Sequence, residues 1–238
     1  MSIENAPGPL ALVGSGEYLP EMQDVEAALI EGRAPRYVQL ATAAFHDGPE
    51  VVEHWHQMGI AQAERIGVKA VIVPVNTRED ANSPAMASLV AGAGLIYLSG
   101  GDPHYLANTL RDTLVWTEIE KSWRQGAALA GCSAGAMALG SWIPSLRHPR
   151  DAATAGLGLL SNLGIIPHFD AFAKRIPDMF ARFVLPDESK VSVYGIDEKT
   201  ALVGGPSDWT VQGRASVWRL SAKGREEFRV GQSVRTSG

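Results

Sequence analysis

The feature that most constrains the fold of this chain is an alternation of short apolar runs with amphipathic stretches, repeated five times before residue 134. Strands that alternate with helices predict a parallel sheet, because each crossover helix returns the chain to the same edge. Apolar runs without polar alternation further indicate strands covered on both faces. The predicted strands are residues 10–16, 36–44, 68–75, 94–102 and 127–133.

Helix signals fall between these runs. Trp55, Ala63 and neighbouring apolar residues recur at three- and four-residue steps, and Gly67 is a plausible C-cap. Asp102 and Pro103 are typical of the N-cap and first position of a helix. The predicted helices are residues 24–32, 49–67, 83–93 and 102–126.

The pattern changes after about residue 160, where turns separate short strand-like segments. These segments are residues 191–197, 200–205, 209–213 and 215–220. We expect them to be short antiparallel additions to the same domain. Because no linker, repeat or low-complexity segment is visible, the sequence predicts a single α/β domain over residues 1–238, whose parallel sheet is flanked by helices on both faces.

Composition excludes several classes of protein. The net charge of −5 includes no basic block of the kind that binds nucleic acid, and no apolar run reaches the ~20 residues of a membrane helix. The N-terminus lacks the features of a signal peptide, and one cysteine cannot form an internal disulfide. We therefore expect a cytoplasmic protein that binds neither nucleic acid nor membrane. A homodimer is left open.

Residues Gly131-Cys132-Ser133-Ala134-Gly135 match the G-x-S-x-G pattern of a nucleophile elbow. Small residues are needed there because the strand turns sharply into a helix, and a bulky neighbour would collide with both. The turn presents the central hydroxyl at a helix N-terminus, where backbone N–H groups can stabilise an oxyanion. Ser133 is therefore the candidate nucleophile, and Cys132 is interpreted as a buried, inert residue of the strand end. A tight glycine turn with a capping serine is the plainer alternative.

A serine nucleophile needs a base and an acid that orients the base. Among six histidines we select His168, which follows an apolar run and a proline. Asp151, between Ser133 and His168, is the favoured acid, and Asp170 is its rival. Should Asp151 prove remote, Asp170 and Glu198 are the acids to consider.

Loops after the predicted strands supply further candidates, since ligands of parallel sheets bind at the carboxyl ends of strands. The N–H of Ala134 and one N–H of the pair Gly100 and Gly101 would form the oxyanion hole. Gly100, Asp102 and His104 lie close enough in sequence to that hole to contact substrate. No metal or cofactor is expected: His54 and His56 lie two apart on a helix and point in different directions.

Four motifs together resemble the serine peptidase family that contains dipeptidase E and cyanophycinase. They are YLSGGDPHYL (97–106), GCSAGAM (131–137), GLGLL with PHFD (156–160 and 167–170) and GIDEKTALV (195–203). The last of these resembles cyanophycinase more than dipeptidase E. With their surroundings they span about residues 10–220, in the family's order.

The resemblance implies a class I glutamine amidotransferase-like fold with a flavodoxin-like core. It also implies Ser133 as nucleophile, His168 as base, Asp151 as acid, and Gly101 with Ala134 as oxyanion donors. Amidotransferases of this fold use cysteine at the elbow, so Ser133 argues against glutaminase chemistry. The activity implied is that of a serine peptidase or amidohydrolase.

Members of this family favour peptides with an aspartyl residue at the cleaved bond. The expected substrate is therefore a small aspartyl or isoaspartyl peptide, whose carboxylate calls for an arginine. Arg147 is the predicted contact. Arg150, Arg175 and Arg182 lie in suitable regions as well.

Three other functions compete with this interpretation. An α/β-hydrolase esterase shares the elbow pattern, but only 35 residues separate Ser133 from His168, too few for the usual intervening strand–helix units. A non-catalytic or regulatory protein could retain the fold with an inert elbow. Nucleotide binding is weakly supported, because the loops GSGEY and SGGD match neither a G-x-G-x-x-G nor a P-loop pattern.

Overall fold

The computed structural model describes residues 6–145, 152–173 and 185–236. Its larger sheet has eight strands in the order β14-β11-β10-β1-β5-β4-β2-β3. These strands are β1 (Leu10–Val13), β2 (Arg36–Leu40), β3 (Lys69–Ile72), β4 (Leu95–Leu98), β5 (Ala128–Cys132), β10 (Thr200–Gly204), β11 (Asp208–Gly213) and β14 (Ser233–Arg235).

The five predicted strands form the parallel part of this sheet, with β1 and β4 on either side of β5. In register, Cys132 at the end of β5 lies beside Val13 of β1, and Gly131 lies beside Leu98 of β4. The loops that follow β1, β4 and β5 therefore emerge together at one edge. This confirms the predicted parallel α/β core and places the three glycine-containing loops side by side.

Both faces of the parallel sheet are buried. Along β1, Leu10 and Leu12 join one hydrophobic cluster, whereas Ala11 and Val13 join another on the opposite face. Alternation of this kind follows from the two-residue period of a strand. Helices cover both sides, as the unbroken apolar runs predicted.

Eight α-helices occur within the described ranges. They are α1 (Gln23–Ile30), α2 (Pro49–Arg65), α3 (Arg78–Ala81), α4 (Pro84–Val90), α5 (Pro103–Leu110), α6 (Leu114–Arg124), α7 (Ala134–Leu139) and α8 (Phe169–Ala173). None of them is long and apolar enough to cross a membrane.

Two segments differ from the sequence-based expectation. The helix predicted over residues 102–126 is divided into α5 and α6, because Asp112 adopts a positive φ of 57° and Thr113 caps a new helix. The strand predicted over residues 36–44 ends at Leu40, and a 3-10 helix, Thr42–Asp47, follows it.

A second sheet has six strands in the order β13-β12-β9-β8-β6-β7. They are β6 (Gly140–Ile143), β7 (Thr154–Ala155), β8 (Leu160–Ile166), β9 (Ser192–Ile196), β12 (Ser216–Ser221) and β13 (Gly224–Arg229). The predicted C-terminal strands are divided between the sheets: β10 and β11 pair antiparallel in the larger one, while β9 pairs parallel with β8 and antiparallel with β12. That residues 1–238 form a single domain stays a prediction.

A carboxyl group is buried between α1 and the sheet. Glu26 is 1% exposed and accepts a hydrogen bond of 2.7 Å from the Tyr37 hydroxyl. Burial raises the pKa of Glu26 from its ordinary 4.5 to about 7. The folded protein therefore holds this proton more tightly than the unfolded chain does, so stability is lost as pH rises from about 4.5 through about 7.

We expect Glu26→Gln to remove this pH dependence, because a neutral amide can still accept the Tyr37 hydrogen bond. The variant should exceed the parent by less than about 1 kcal/mol at pH 5 and by on the order of 3 kcal/mol at pH 8. Urea unfolding at the two pH values measures the difference. Equal losses of stability between pH 5 and pH 8 in both proteins would contradict the assignment.

Candidate active site

Ser133 occupies a sharp turn between β5 and α7, with φ 50° and ψ −110°. Neighbouring glycines permit this turn. A Cβ on Gly131 would lie 2.5 Å from the Gly135 carbonyl carbon, and one on Gly135 would lie 2.2 Å from the Leu98 oxygen. The predicted sharp turn from strand to helix is confirmed, and it holds Ser133 in an unusual backbone conformation. The serine is half-buried, whereas both residues beside it are buried.

His168 lies directly opposite this serine. Its Nε2 is 3.1 Å from the Ser133 Oγ, a hydrogen-bond distance. His168 follows β8 and has a positive φ of 49°, and its backbone N–H donates to the Gly14 oxygen at 3.3 Å. The structure thus brings together the two residues that the sequence selected as nucleophile and base.

The carboxylate beside His168 belongs to Glu198. Glu198 lies in the turn between β9 and β10, and its Oε1 is 2.9 Å from the His168 Nδ1. Asp170, the rival acid in the sequence, instead accepts a hydrogen bond from the Glu198 backbone N–H at 3.0 Å. Asp151, the favoured acid, lies outside the described residues. The motif GIDEKTALV, which contains Glu198, was the available signal for this carboxylate.

The site is open to solvent. The His168 and Glu198 side chains are 34% and 45% exposed. Water can therefore reach the histidine, and the ion pair that a protonated histidine would form with Glu198 is screened rather than buried.

The glycine pair of the β4 loop lies beside the serine. A Cβ on Gly100 would be 3.5 Å from the Ser133 Cβ, so this backbone passes close to the elbow. Gly101 has φ 136°, and a Cβ there would lie 2.3 Å from the Ala43 oxygen. Ala134 is the first residue of α7, where an N–H has no acceptor within the helix. These are the amides that the sequence nominated for an oxyanion.

The predicted substrate contacts have other partners in this structure. Asp102 is the N-cap of α5, and its Oδ1 accepts hydrogen bonds from the backbone N–H groups of His104 and Tyr105. The His104 Nδ1 lies 2.6 Å from the Thr154 hydroxyl. Arg147 lies outside the described residues, as do Arg150, Arg175 and Arg182. Their substrate roles stay predictions.

Glu17 lies in the loop GSGEY and is a buried residue that the sequence pattern did not single out. This side chain is only 6% exposed and lies behind the elbow. Its Oε1 accepts a hydrogen bond from the Gly100 N–H at 3.0 Å, and its Oε2 accepts one from the Cys132 thiol at 2.7 Å. A single acidic residue in a loop has no periodicity, so nothing in the sequence marked it as buried.

Cys132 is fully buried, as predicted. Burial, together with the nearby charge of Glu17, raises the pKa of its thiol well above the ordinary value. The thiol therefore stays protonated at neutral pH, and a protonated thiol is a poor nucleophile. Within the described ranges, no group of three or more His, Cys, Asp and Glu side chains is arranged to hold a metal ion.

An α/β sandwich with a serine elbow at the carboxyl edge of its parallel sheet defines the class of this protein. The model of peptidase family S51 matches residues 10–208, and the chain belongs to this family. Curated relatives include cyanophycinases from Trichormus variabilis, 30% identical over 201 residues, and Thermosynechococcus vestitus, 33% identical over 165 residues. Those matches cover 78% and 64% of this chain, but only 63% and 49% of the relatives' lengths.

Two solved structures are also similar. The crystal structure of a peptidase from an acI-B1 Actinobacterium is 43% identical, with a TM-score of 0.89 and 98% of each chain covered. A putative peptidase E protein from Listeria monocytogenes EGD-e is 16% identical, with a TM-score of 0.63, and covers 88% of this chain and 100% of its own. The second likeness shows the fold alone.

We expect Cys132→Ser to react with a fluorophosphonate probe at a rate within about threefold of the parent. A serine hydroxyl can keep the hydrogen bond to Glu17, and the side chain points away from the elbow tip. Mass spectrometry of the labelled peptide should place the adduct on Ser133. Loss of labelling in Cys132→Ser with retention in Ser133→Ala would show that the nucleophile was wrongly assigned.

Proposed function

We propose that this chain is a serine peptidase or amidohydrolase that uses Ser133, His168 and Glu198 as its catalytic triad. The observation that carries this proposal is the continuous chain from the serine oxygen through both imidazole nitrogens to the carboxylate, with distances of 3.1 and 2.9 Å. Membership of peptidase family S51 supports the same chemistry.

In the first step, His168 Nε2 takes the hydroxyl proton as Ser133 Oγ attacks the carbonyl carbon of the scissile amide. The new C–O bond converts the carbonyl into a tetrahedral oxyanion. Collapse of this intermediate breaks the C–N bond, and the imidazolium gives its proton to the departing amine. An acyl-enzyme ester on Ser133 remains.

The backbone N–H groups of Ala134 and Gly101 are the proposed oxyanion donors. Ala134 begins α7, so its N–H is directed outward from the helix end. Of the glycine pair, Gly100 already donates its N–H to Glu17, which favours Gly101 for this role. Removing one such donor typically costs about 100- to 1000-fold in rate.

Glu198 orients the imidazole by accepting a hydrogen bond from Nδ1–H, which leaves Nε2 free to accept the serine proton. Asp170 in turn fixes the Glu198 backbone. Deacylation uses the same machinery: His168 removes a proton from water, whose oxygen attacks the ester carbonyl. As the C–O bond to Ser133 then breaks, the imidazolium returns the proton to Ser133 Oγ and the acid product leaves. The solvent exposure of His168 allows that water to enter.

The proposed substrate is a small peptide with an aspartyl or isoaspartyl residue at the cleaved bond. This assignment rests on the family resemblance and on relatives named cyanophycinases. An acidic substrate calls for a cation at the site, and the predicted contact remains Arg147. Cysteine-dependent glutaminase chemistry is disfavoured, because the only cysteine in the sequence is buried and protonated.

Ser133→Ala and His168→Ala should each lower the rate of peptide hydrolysis by several orders of magnitude, on the order of 10⁴-fold or more. The double variant should be little slower than either single variant, because the two residues act as one unit. Hydrolysis of the best substrate, followed by chromatography, measures the rates. Multiplicative losses in the double variant would contradict a shared role.

Glu198→Gln and Asp151→Asn form a matched pair for identifying the acid. Glutamine cannot stabilise the imidazolium as a carboxylate does, so Glu198→Gln should lower kcat by at least about 100-fold, with a small change in KM. Asp151→Asn should stay within about threefold of the parent. The reverse result would return the acid role to Asp151.

A library of aspartyl and isoaspartyl dipeptides, with matched glutamyl and alanyl dipeptides, tests the substrate class. We expect hydrolysis of at least one aspartyl series and none of the alanyl controls, with all activity lost in Ser133→Ala. Fluorophosphonate labelling without hydrolysis of any aspartyl peptide would overturn the substrate class but keep the nucleophile. Absence of both would support an inert elbow.

A further inference from the structure

We infer that Glu17 is a positioning residue that fixes the glycine pair of the β4 loop against the Ser133 elbow. This inference rests on the proposed function, because that loop supplies the proposed oxyanion donor Gly101. Nothing in the proposed triad or in the substrate assignment requires Glu17.

The position of this carboxylate between the β4 loop and the end of β5 carries the inference. Glu17 follows β1, and each of its oxygens accepts a hydrogen bond from a different segment: Oε1 from Gly100 after β4, and Oε2 from Cys132 at the end of β5, beside the nucleophile. Burial of such a group without partners is costly, so these two donors determine where the side chain can lie. One carboxylate thereby sets the spacing between the elbow and the glycine pair.

Tyr18, the residue after Glu17, holds the same β4 loop at Ser99, the residue before Gly100. The Tyr18 hydroxyl lies 2.8 Å from the Ser99 hydroxyl, and Gln39 donates to both oxygens. Tyr18 has a positive φ of 64°, and the consecutive side chains of Glu17 and Tyr18 form hydrogen bonds with the consecutive residues Gly100 and Ser99. Because Tyr18 anchors Ser99 independently, loss of Glu17 should shift the glycine pair without unfolding the loop.

The space around Gly100 leaves little freedom. A Cβ on this residue would lie 2.9 Å from the Glu17 Oε1 and 3.5 Å from the Ser133 Cβ. Gly100 is therefore packed between the carboxylate and the nucleophile, and its N–H is already used. The position of the following amide, that of Gly101, depends on this packing.

A displacement of about 1 Å at a catalytic group can cost on the order of 100-fold in rate. We therefore expect Glu17→Ala to react with a fluorophosphonate about 100-fold more slowly than the parent. Attack of Ser133 on phosphorus forms the O–P bond and expels fluoride, and negative charge develops on the phosphoryl oxygen that the oxyanion hole contacts. The loss should appear in the maximal inactivation rate, with the apparent probe affinity changed less than threefold.

Two variants separate the hydrogen bond between Glu17 and Gly100 from the one between Glu17 and Cys132. Glu17→Gln keeps a side-chain oxygen for the Gly100 N–H but places an amide near the thiol, so a loss of about three- to tenfold is expected. Cys132→Ser alters only the hydrogen bond between Glu17 and residue 132, and its labelling rate should stay within threefold of the parent's. Amide hydrogen exchange, read by NMR, adds a measurement independent of activity: the Gly100 amide should exchange faster in Glu17→Ala and unchanged in Cys132→Ser.

The outcomes separate the two proposals. Slow labelling with fast Gly100 exchange, in a Glu17→Ala protein with a thermal midpoint close to the parent's, supports the positioning role. Labelling within threefold of the parent, or unchanged Gly100 exchange, overturns it. If Glu17→Ala fails to fold, labelling of Glu17→Gln within threefold of the parent overturns it instead, because a three- to tenfold loss is expected there. If the parent itself is not labelled, the proposed function fails, and Gly100 exchange still decides the role of Glu17.

Discussion

Backbone hydrogen bonds at the end of β1 hold the parts of the candidate site in place. Three consecutive carbonyl groups there each accept an N–H from a different loop, and a side chain two residues later holds a fourth loop. These contacts are Ser133 N–H to Val13 at 2.9 Å, His168 N–H to Gly14 at 3.3 Å, Lys199 N–H to Ser15 at 3.1 Å, and Gly100 N–H to Glu17 at 3.0 Å. One short segment therefore fixes the relative positions of the proposed nucleophile, the proposed base, the neighbour of the proposed acid and the glycine pair.

The segment that follows β1 can contact several loops because its backbone lies very close to theirs. A Cβ on Gly14 would lie 2.2 Å from the Asp197 oxygen, so only glycine lets β1 lie against the turn that carries Glu198. The positive φ angles of Ser133 and His168 are unfavourable in isolation, and such conformations persist where surrounding contacts over-determine them. The backbone N–H groups of Ser133 and His168 both donate hydrogen bonds to carbonyl groups at the end of β1.

Sequence reasoning reached those parts of the site that depend on local pattern. Ser133 could be found because its turn requires small neighbours, and His168 because it follows a strand in a familiar motif. Glu198 was considered only in case Asp151 proved remote. Its turn reaches the site because β10 pairs with β1, and these segments lie about 190 residues apart, so local pattern does not reveal the pairing. Glu17 gave no signal, since burial of a loop carboxylate depends on donors that distant segments supply, here the β4 loop and the end of β5. Asp151, the acid that the sequence favoured, lies outside the described residues.

The proposed triad draws on both sheets, and this makes the junction between them part of the chemistry. Ser133 follows a strand of the larger sheet and His168 one of the smaller, while Glu198 lies where the chain crosses from β9 to β10. Asp197 fixes this crossing, because its carboxylate accepts hydrogen bonds from the Ser216 N–H and the Trp218 indole of β12. A shift of one sheet against the other would change the distance between Ser133 Oγ and His168 Nε2. Alignment of the triad therefore depends on packing well outside it.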